Sequence, residues 1–403
     1  MFKFSLPKLL GALSLFLVTI AIVIAIFYQF KNSISSSNKI RGVWLTIVYF
    51  FVLYDPAQLK TAIADLKRAN FNTLYPTVWN DGHTLYPSAV AQQWLGQNQD
   101  EQLGDRDMLR EVIDLAKEKS LRVIPWFEFG FMAPAESDWV KAHPHWLTTN
   151  AQGETIWLEG GTIPRVWLNP LHPEVQQLLT ALLVDLVRRY DVDGIQLDDH
   201  FGYPYNFGYD PITVALYRQE TGKEPPPTPE LNLNQNCVSP DPVWQQWTDW
   251  RSATINRYVQ SLVPILKAVK PNLTISISPN PQTFSKNCFL LDWQTWHQAR
   301  VVDELVLQIY REKQAAFTGE LQQPLVQQTK QEIPVAVGIL SGLKNRPIPS
   351  ARIKQQAQWV DGNDFAGTAF FFYESLWNLE AEASPYPFGL RQQRQRLYQQ
   401  LNR

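Results

Sequence analysis

The chain reads as an α/β protein, a (β/α)8 TIM barrel preceded by an N-terminal transmembrane helix. Three observations predict this. Eight β-rich runs alternate strictly with helical runs, the pattern of a parallel sheet covered by helices. The connections leaving the second, third and fourth runs are long and those entering a strand are short, as in barrels whose functional loops gather at one rim. An uncharged stretch from Leu9 to Phe30 is long enough to span a bilayer as a helix. A doubly wound open sheet is the competing arrangement, but no GxGxxG follows the first strand to support a dinucleotide site.

The apolar stretch is longer than the core of a secretory signal, and no small-residue cleavage pattern follows it, so it reads as an uncleaved anchor. Lys3 and Lys8 precede it and Lys31, Lys39 and Arg41 follow it, so flanking charge alone does not set its orientation. A lone N-terminal anchor typically exports the domain attached to its C-terminal end. The expectation is therefore a single-pass membrane protein with its catalytic domain outside the cytoplasm. NSISSSN at 32–38 reads as a flexible linker. The domain reading is an anchor at 1–30, a linker at 31–40, a barrel at 41–380 and a tail at 381–403.

Strands are predicted at 42–48, 71–79, 121–129, 194–201, 274–280, 304–310, 334–340 and 367–375. Helical patterns fall at 56–69, 106–119, 173–190, 242–270, 290–300, 313–330 and 350–360. The first has Leu59, Ile63 and Leu66 on one face, Pro56 at its start and Asn70 past its end, which are ordinary helix limits. Residues 221–241, rich in Pro and Asn, read as a rim loop.

Composition narrows the partners. The 36 basic and 38 acidic residues nearly cancel and form no basic tract, so nucleic acid is a poor partner. The 15 Trp and 15 Tyr supply rings that stack on sugar faces as readily as they fill a core. Cys237 and Cys288 sit in no metal-ligand or CxxC pattern. Both fall on the predicted rim, where a disulfide is geometrically sensible in an oxidising compartment, though two free thiols fit the sequence equally.

The fourth strand carries the most chemistry. In DGIQLDDHF, Ile195 and Leu197 alternate with Gln196, Asp198 and His200, so the polar three face the barrel axis. Asp198 is then an inward carboxylate at the strand's C-terminal end, where barrel enzymes keep catalytic groups. Asp199 falls on the other face or escapes alternation as the strand ends. Ser276, Ser278 and Asn280 on the fifth strand, and Gln308 and Tyr310 on the sixth, continue the polar stripe. It reads as the floor of a cleft, with a buried hydrogen-bond network as the plain alternative for Ser276 and Gln308.

Two more carboxylates end strands, Glu128 in PWFEFG and Glu374 in FFYESLW. Apolar, aromatic neighbours should raise their pKa and keep them protonated, as a general acid for glycoside cleavage requires. Asp198 supplies the ionised partner. Trp79, Asn80, Asn280, Tyr310, Trp377 and His200 are the expected substrate-binding residues. Neighbours on a strand point apart, so Asp198, Asp199 and His200 are not expected to share a metal ion; no metal or cofactor is expected.

RGVWLT at 41–46, FNTLYPTVWNDGHTLYPS at 71–88, VIPWFEFGFMAP at 123–134, RVWLNPLHPEV at 165–175, DGIQLDDHFG at 193–202 and SPNPQTF at 278–284 resemble the glycosyl hydrolase-like 10 family. The resemblance runs from about Arg41 to Trp377 and implies a TIM barrel with glycosidase activity. DGIQLDDH also looks like the fourth-strand motif of the α-amylase superfamily, in which the position of Asp198 is the nucleophile. Gln196 stands where that superfamily has Arg, and the fifth strand lacks its Glu. The resemblance therefore implies a proton donor on another strand, Glu128 or Glu374. The expected activity is hydrolysis of a polysaccharide. The alternatives are a non-catalytic glycan-binding barrel and a metal-dependent, non-glycosidic hydrolase.

Overall fold

A computed structural model describes residues 39–47, 52–343, 346–376 and 388–402. The Leu9–Phe30 stretch and Trp377 lie outside them. Among the described residues no helix is long and apolar enough to cross a membrane.

Nine parallel strands form one sheet: β1 Ile40–Leu45, β2 Thr73–Pro76, β3 Arg122–Val123, β4 Trp126–Phe127, β5 Gly194–Asp198, β6 Thr274–Ser278, β7 Glu304–Gln308, β8 Val335–Leu340 and β9 Gly367–Phe371. Their order is β3-β2-β1-β9-β8-β7-β6-β5-β4. The two ends of this order are consecutive pieces of one segment, parted by Ile124 and Pro125. Pro125 has no N–H to give a ladder, which interrupts the strand. Bonds nonetheless leave it on both sides: Ile124 N–H donates to Leu74 O at 2.9 Å, and Gln196 N–H donates to Pro125 O at 2.8 Å. The sheet curls until its two edges share this segment.

Helices cover the outside of the sheet: α1 Pro56–Arg68, α2 Met108–Lys117, α3 Pro173–Arg189, α4 Pro242–Val269, α5 Pro324–Glu332, α6 Ser350–Asp361 and α7 Phe388–Leu401. α1 shows why. The Asp55 carboxylate accepts from the N–H groups of Ala57 and Gln58, Pro56 opens the first turn, and Lys67 and Arg68 close the last. Its buried face is Leu59, Ala62, Ile63 and Leu66.

Several elements were missed by the sequence reading, and three features matter most here. The tail expected at 381–403 contains α7. Tyr398 of α7 is fully buried, its ring 4.9 Å from that of Phe370 and 6.0 Å from that of Phe71. A helix at Pro211–Thr221 stands between β5 and the rim loop that leads to α4. The connection after β4 folds into a three-stranded antiparallel sheet of Met132–Pro134, Ile163–Trp167 and Trp157–Glu159. Cys237 and Cys288 form a disulfide, with Cα atoms 5.2 Å apart.

Candidate active site

The sheet interior holds two polar layers, one above the other, because inward side chains recur every second residue. The lower layer is a closed network. Trp44 Nε1–H donates to Gln196 Oε1 at 2.8 Å, Gln196 Nε2–H to Ser276 Oγ at 3.0 Å, and Ser276 Oγ–H to Glu304 Oε1 at 2.9 Å. Tyr75 also donates to Glu304, and Arg122 pairs with it at 3.3 Å. Each polar group has its partner, as a buried network requires. Gln196 and Ser276 are thus structural.

Two residues further along β5 and β6, and four further along β7, lies the upper layer. Ser278 Oγ–H donates to Asp198 Oδ1 at 2.8 Å, and Gln308 Nε2–H donates to the same oxygen at 2.9 Å. These two donors orient the Asp198 carboxylate. Its other oxygen lies 3.2 Å from His200 Nδ1.

Strand pairing brings Glu128 to Asp198. Gln196 is in register with Trp126 and Leu197 with Phe127, so the next residues, Asp198 and Glu128, emerge side by side at the rim. Glu128 Oε2 accepts from Asn80 Nδ2 at 2.6 Å and Thr77 Oγ1 at 3.0 Å. Burial pushes its carboxyl up to about 8. The bond from Asn80 opposes that rise, the Asp198 charge adds to it, and the bond from Thr77 again opposes it. Asn80 therefore positions Glu128; it is 3% exposed and offers little to a substrate.

Asp199 departs from alternation because β5 ends at Asp198 and a 3-10 turn, Asp199–Phe201, begins. The turn swings Asp199 back into the cluster, where Asn280 Nδ2–H donates to its Oδ2 at 2.5 Å. Burial and the Asp198 charge both raise its carboxyl well above the usual range. His200 sits among these groups, its Nδ1 2.9 Å from Glu128 O and 3.4 Å from Asp199 Oδ1. Burial alone would lower its pKa, but the charges of Asp199 and Asp198 outweigh that and hold it at about 10. Gly130 makes this approach possible: at φ +48 a Cβ would stand 2.4 Å from the His200 carbonyl oxygen.

The remaining predicted residues divide. Tyr310 joins the cluster: burial raises its hydroxyl well above 10, and the charges of Asp198, Asp199 and Glu128 raise it further. Trp79 does not line a cleft. Its ring is fully buried, stacked on Phe127 at 5.7 Å, with Nε1–H donating to Gly130 O, so neither face is open to a sugar. Glu374 stands apart from the cluster, at the start of a short helix Tyr373–Leu376 that follows β9. Burial pushes it up to about 8 beside the backbone N–H of Val52. Sequence reasoning passed over Thr77, which donates to Glu128; its buried-network alternative holds for Ser276 but not for Gln308, which reaches Asp198.

The expectation that Asp198, Asp199 and His200 point apart is corrected by the same turn. Their ligand atoms all lie within 4.8 Å of one another, near enough to hold an ion, as do those of His145, His172 and Glu174. In the first set His200 Nδ1 already lies 3.2 Å from Asp198 Oδ2 and 3.4 Å from Asp199 Oδ1.

The model of the family described as Glycosyl hydrolase-like 10 matches residues 39–361. Glycosyl hydrolase DigH of Escherichia coli is 24% identical over 286 residues, which are 60% of this chain and 56% of that protein. Glycosyl hydrolase YngK of Bacillus subtilis is 22% identical over 66% of this chain and 49% of its own length. The chain thus spans about half the length of these curated relatives. The glycoside hydrolase domain of PgaB (BpsB) from Bordetella bronchiseptica has a similar fold, with a TM-score of 0.60 at 13% identity over 83% of this chain and 93% of that one. With the family model covering all of the sheet but its last strand, β9, this chain belongs to the glycosyl hydrolase-like 10 family.

Proposed function

We propose that the curled sheet is a closed (β/α)8 barrel and that the protein hydrolyses glycosidic bonds in an extracellular polysaccharide, held at the membrane by the Leu9–Phe30 segment. The observation that carries the catalytic reading is the pairing of two unlike carboxyls at one rim. Asp198 is oriented by Ser278 and Gln308 beside His200. Glu128, next to it in register, keeps its proton up to about pH 8. An acid and a base set apart by environment are what glycoside cleavage needs.

In this reading Glu128 delivers its proton to the leaving oxygen as the glycosidic bond breaks. Asp198 then acts on the anomeric carbon, directly or by drawing a proton from water. His200 stays charged throughout and stabilises the Asp198 anion. Asn80 and Thr77 hold the Glu128 carboxyl in place.

The test is release of reducing ends from a panel of soluble and cell-wall glycans by the full chain in detergent. At least one glycan should be cleaved. Asp198→Asn should lower its turnover at least roughly 1,000-fold while leaving the circular dichroism spectrum and melting temperature unchanged. An active Asp198→Asn variant would remove Asp198 from the mechanism.

A further inference from the structure

A cavity opens among the loops that follow the Asp199–Phe201 turn. It has a volume of about 750 Å³, within the range of sites that enclose small ligands. Its walls include three aromatic side chains, Trp157, Tyr205 and Phe289, together with the amides of Asn206, Asn232 and Gln235. Every one of these aromatics is partly exposed. No Lys, Arg or His lines the cavity, and Glu230 is its one charged side chain.

The cavity is coupled to the cluster through the chain itself. The segment that begins with Asp199 and His200 continues to Pro204, Tyr205 and Asn206 in the cavity wall. Two backbone bonds fasten it to the opposite wall, Tyr203 N–H to Phe289 O and Tyr205 N–H to Cys288 O, both at 2.8 Å. Gly202 allows this contact, since a Cβ there would stand 1.9 Å from Phe289 O. The disulfide ties Cys288 to Cys237, beside Val238 in the third wall. From behind, Arg251 of α4 donates to the carbonyl oxygens of Tyr205 and Phe207. On the near side, rings run without a break from His200 to Trp167 at 5.7 Å and from Trp167 to Trp157 at 5.9 Å.

We propose that this cavity is a distal glycan subsite, which takes a sugar unit of the same chain whose bond is cleaved at Asp198 and Glu128. Flat rings stack on pyranose faces, and side-chain amides bond to hydroxyl and acetamido groups. With no cation in the wall and Glu230 among its lining residues, the bound unit carries no negative charge, because a carboxylate or sulfate there would lose water, meet no positive charge and face the Glu230 carboxylate. The inference rests on the glycoside hydrolase reading for its direction, but the binding claim stands or falls separately.

The experiment is tryptophan-fluorescence titration of the full chain in detergent. The probes are cello-, chito- and chitosan-oligosaccharides of two to six units, with oligogalacturonides as the anionic series. At least one uncharged or amine-bearing series should bind about tenfold more tightly at six units than at two. Trp157→Ala should erase that gain and Trp157→Phe should restore most of it. Glu230→Lys, at an exposed position that is not needed for folding, should strengthen oligogalacturonide binding several-fold over the native chain. The proposal is overturned if no series binds, if the length gain survives Trp157→Ala, or if Glu230→Lys leaves the anionic series unchanged. A binding subsite on a barrel without turnover would refute the catalytic reading alone.

Discussion

Asp198 and Asp199 are neighbours in sequence, yet the structure gives them different surroundings. Asp198 closes the strand and is gripped by Ser278 and Gln308, whereas Asp199 starts a turn and is held by Asn280. Gln308→Ala should lower turnover roughly tenfold to a hundredfold by freeing the Asp198 carboxylate, with KM little changed. For Glu128 the sign of a pH effect is set by its bonds. Asn80 donates to the ionised form and so depresses the pKa; Asn80→Ala should move the alkaline limb of the kcat/KM profile upward from about pH 8. A limb that stays in place would mean that another group sets it. Alternation in DGIQLDDHF made the Asp198 side legible in the sequence. The fate of Asp199 was not legible, because where a strand stops depends on the turn after it and not on the strand's own pattern.

At the scale of elements, all eight predicted strand positions hold sheet strands, because Val, Ile and Leu runs bounded by turn residues mark a buried parallel sheet. The helix α7 was not legible. LRQQRQRLYQQL carries few apolar residues, and its reason for folding lies in partners elsewhere in the chain: Phe370 and, more than 300 residues away in sequence, Phe71. Tyr398→Ala should therefore cost about 3–5 kcal/mol, like other large aromatic truncations, measured by urea unfolding. A loss below about 1 kcal/mol would show that α7 is peripheral. The hairpin Trp157–Glu159 and Ile163–Trp167 escaped notice for a related reason: Ile156, Leu158 and Ile163 are exposed, and only Val166 and Trp167 at its end are buried. The disulfide was legible only as one of two options, since spacing places two cysteines at a rim but does not pair them.

For the whole molecule, the buried carboxyls link stability to pH. Glu374 is raised by burial to about 8, so the folded state keeps a proton that the unfolded chain loses near the ordinary Glu value. Its contribution is fully present below that ordinary value and is lost as pH rises towards and through about 8. Glu374→Gln should flatten that part of the decline in melting temperature, while Glu128→Gln should flatten it and impair turnover as well. The central claim is the division of labour between Glu128 and Asp198, and leaving-group dependence tests it most directly. Aryl glycosides of a sugar found active on the glycan panel would be compared, one with a dinitrophenyl and one with a phenyl leaving group. Glu128→Gln should keep most of its turnover on the dinitrophenyl glycoside, which needs no proton to depart, and lose at least roughly 100-fold on the phenyl glycoside. Asp198→Asn should be crippled on both. Equal losses for Glu128→Gln on the two substrates, or a selective rescue of Asp198→Asn by the better leaving group, would contradict the assignment.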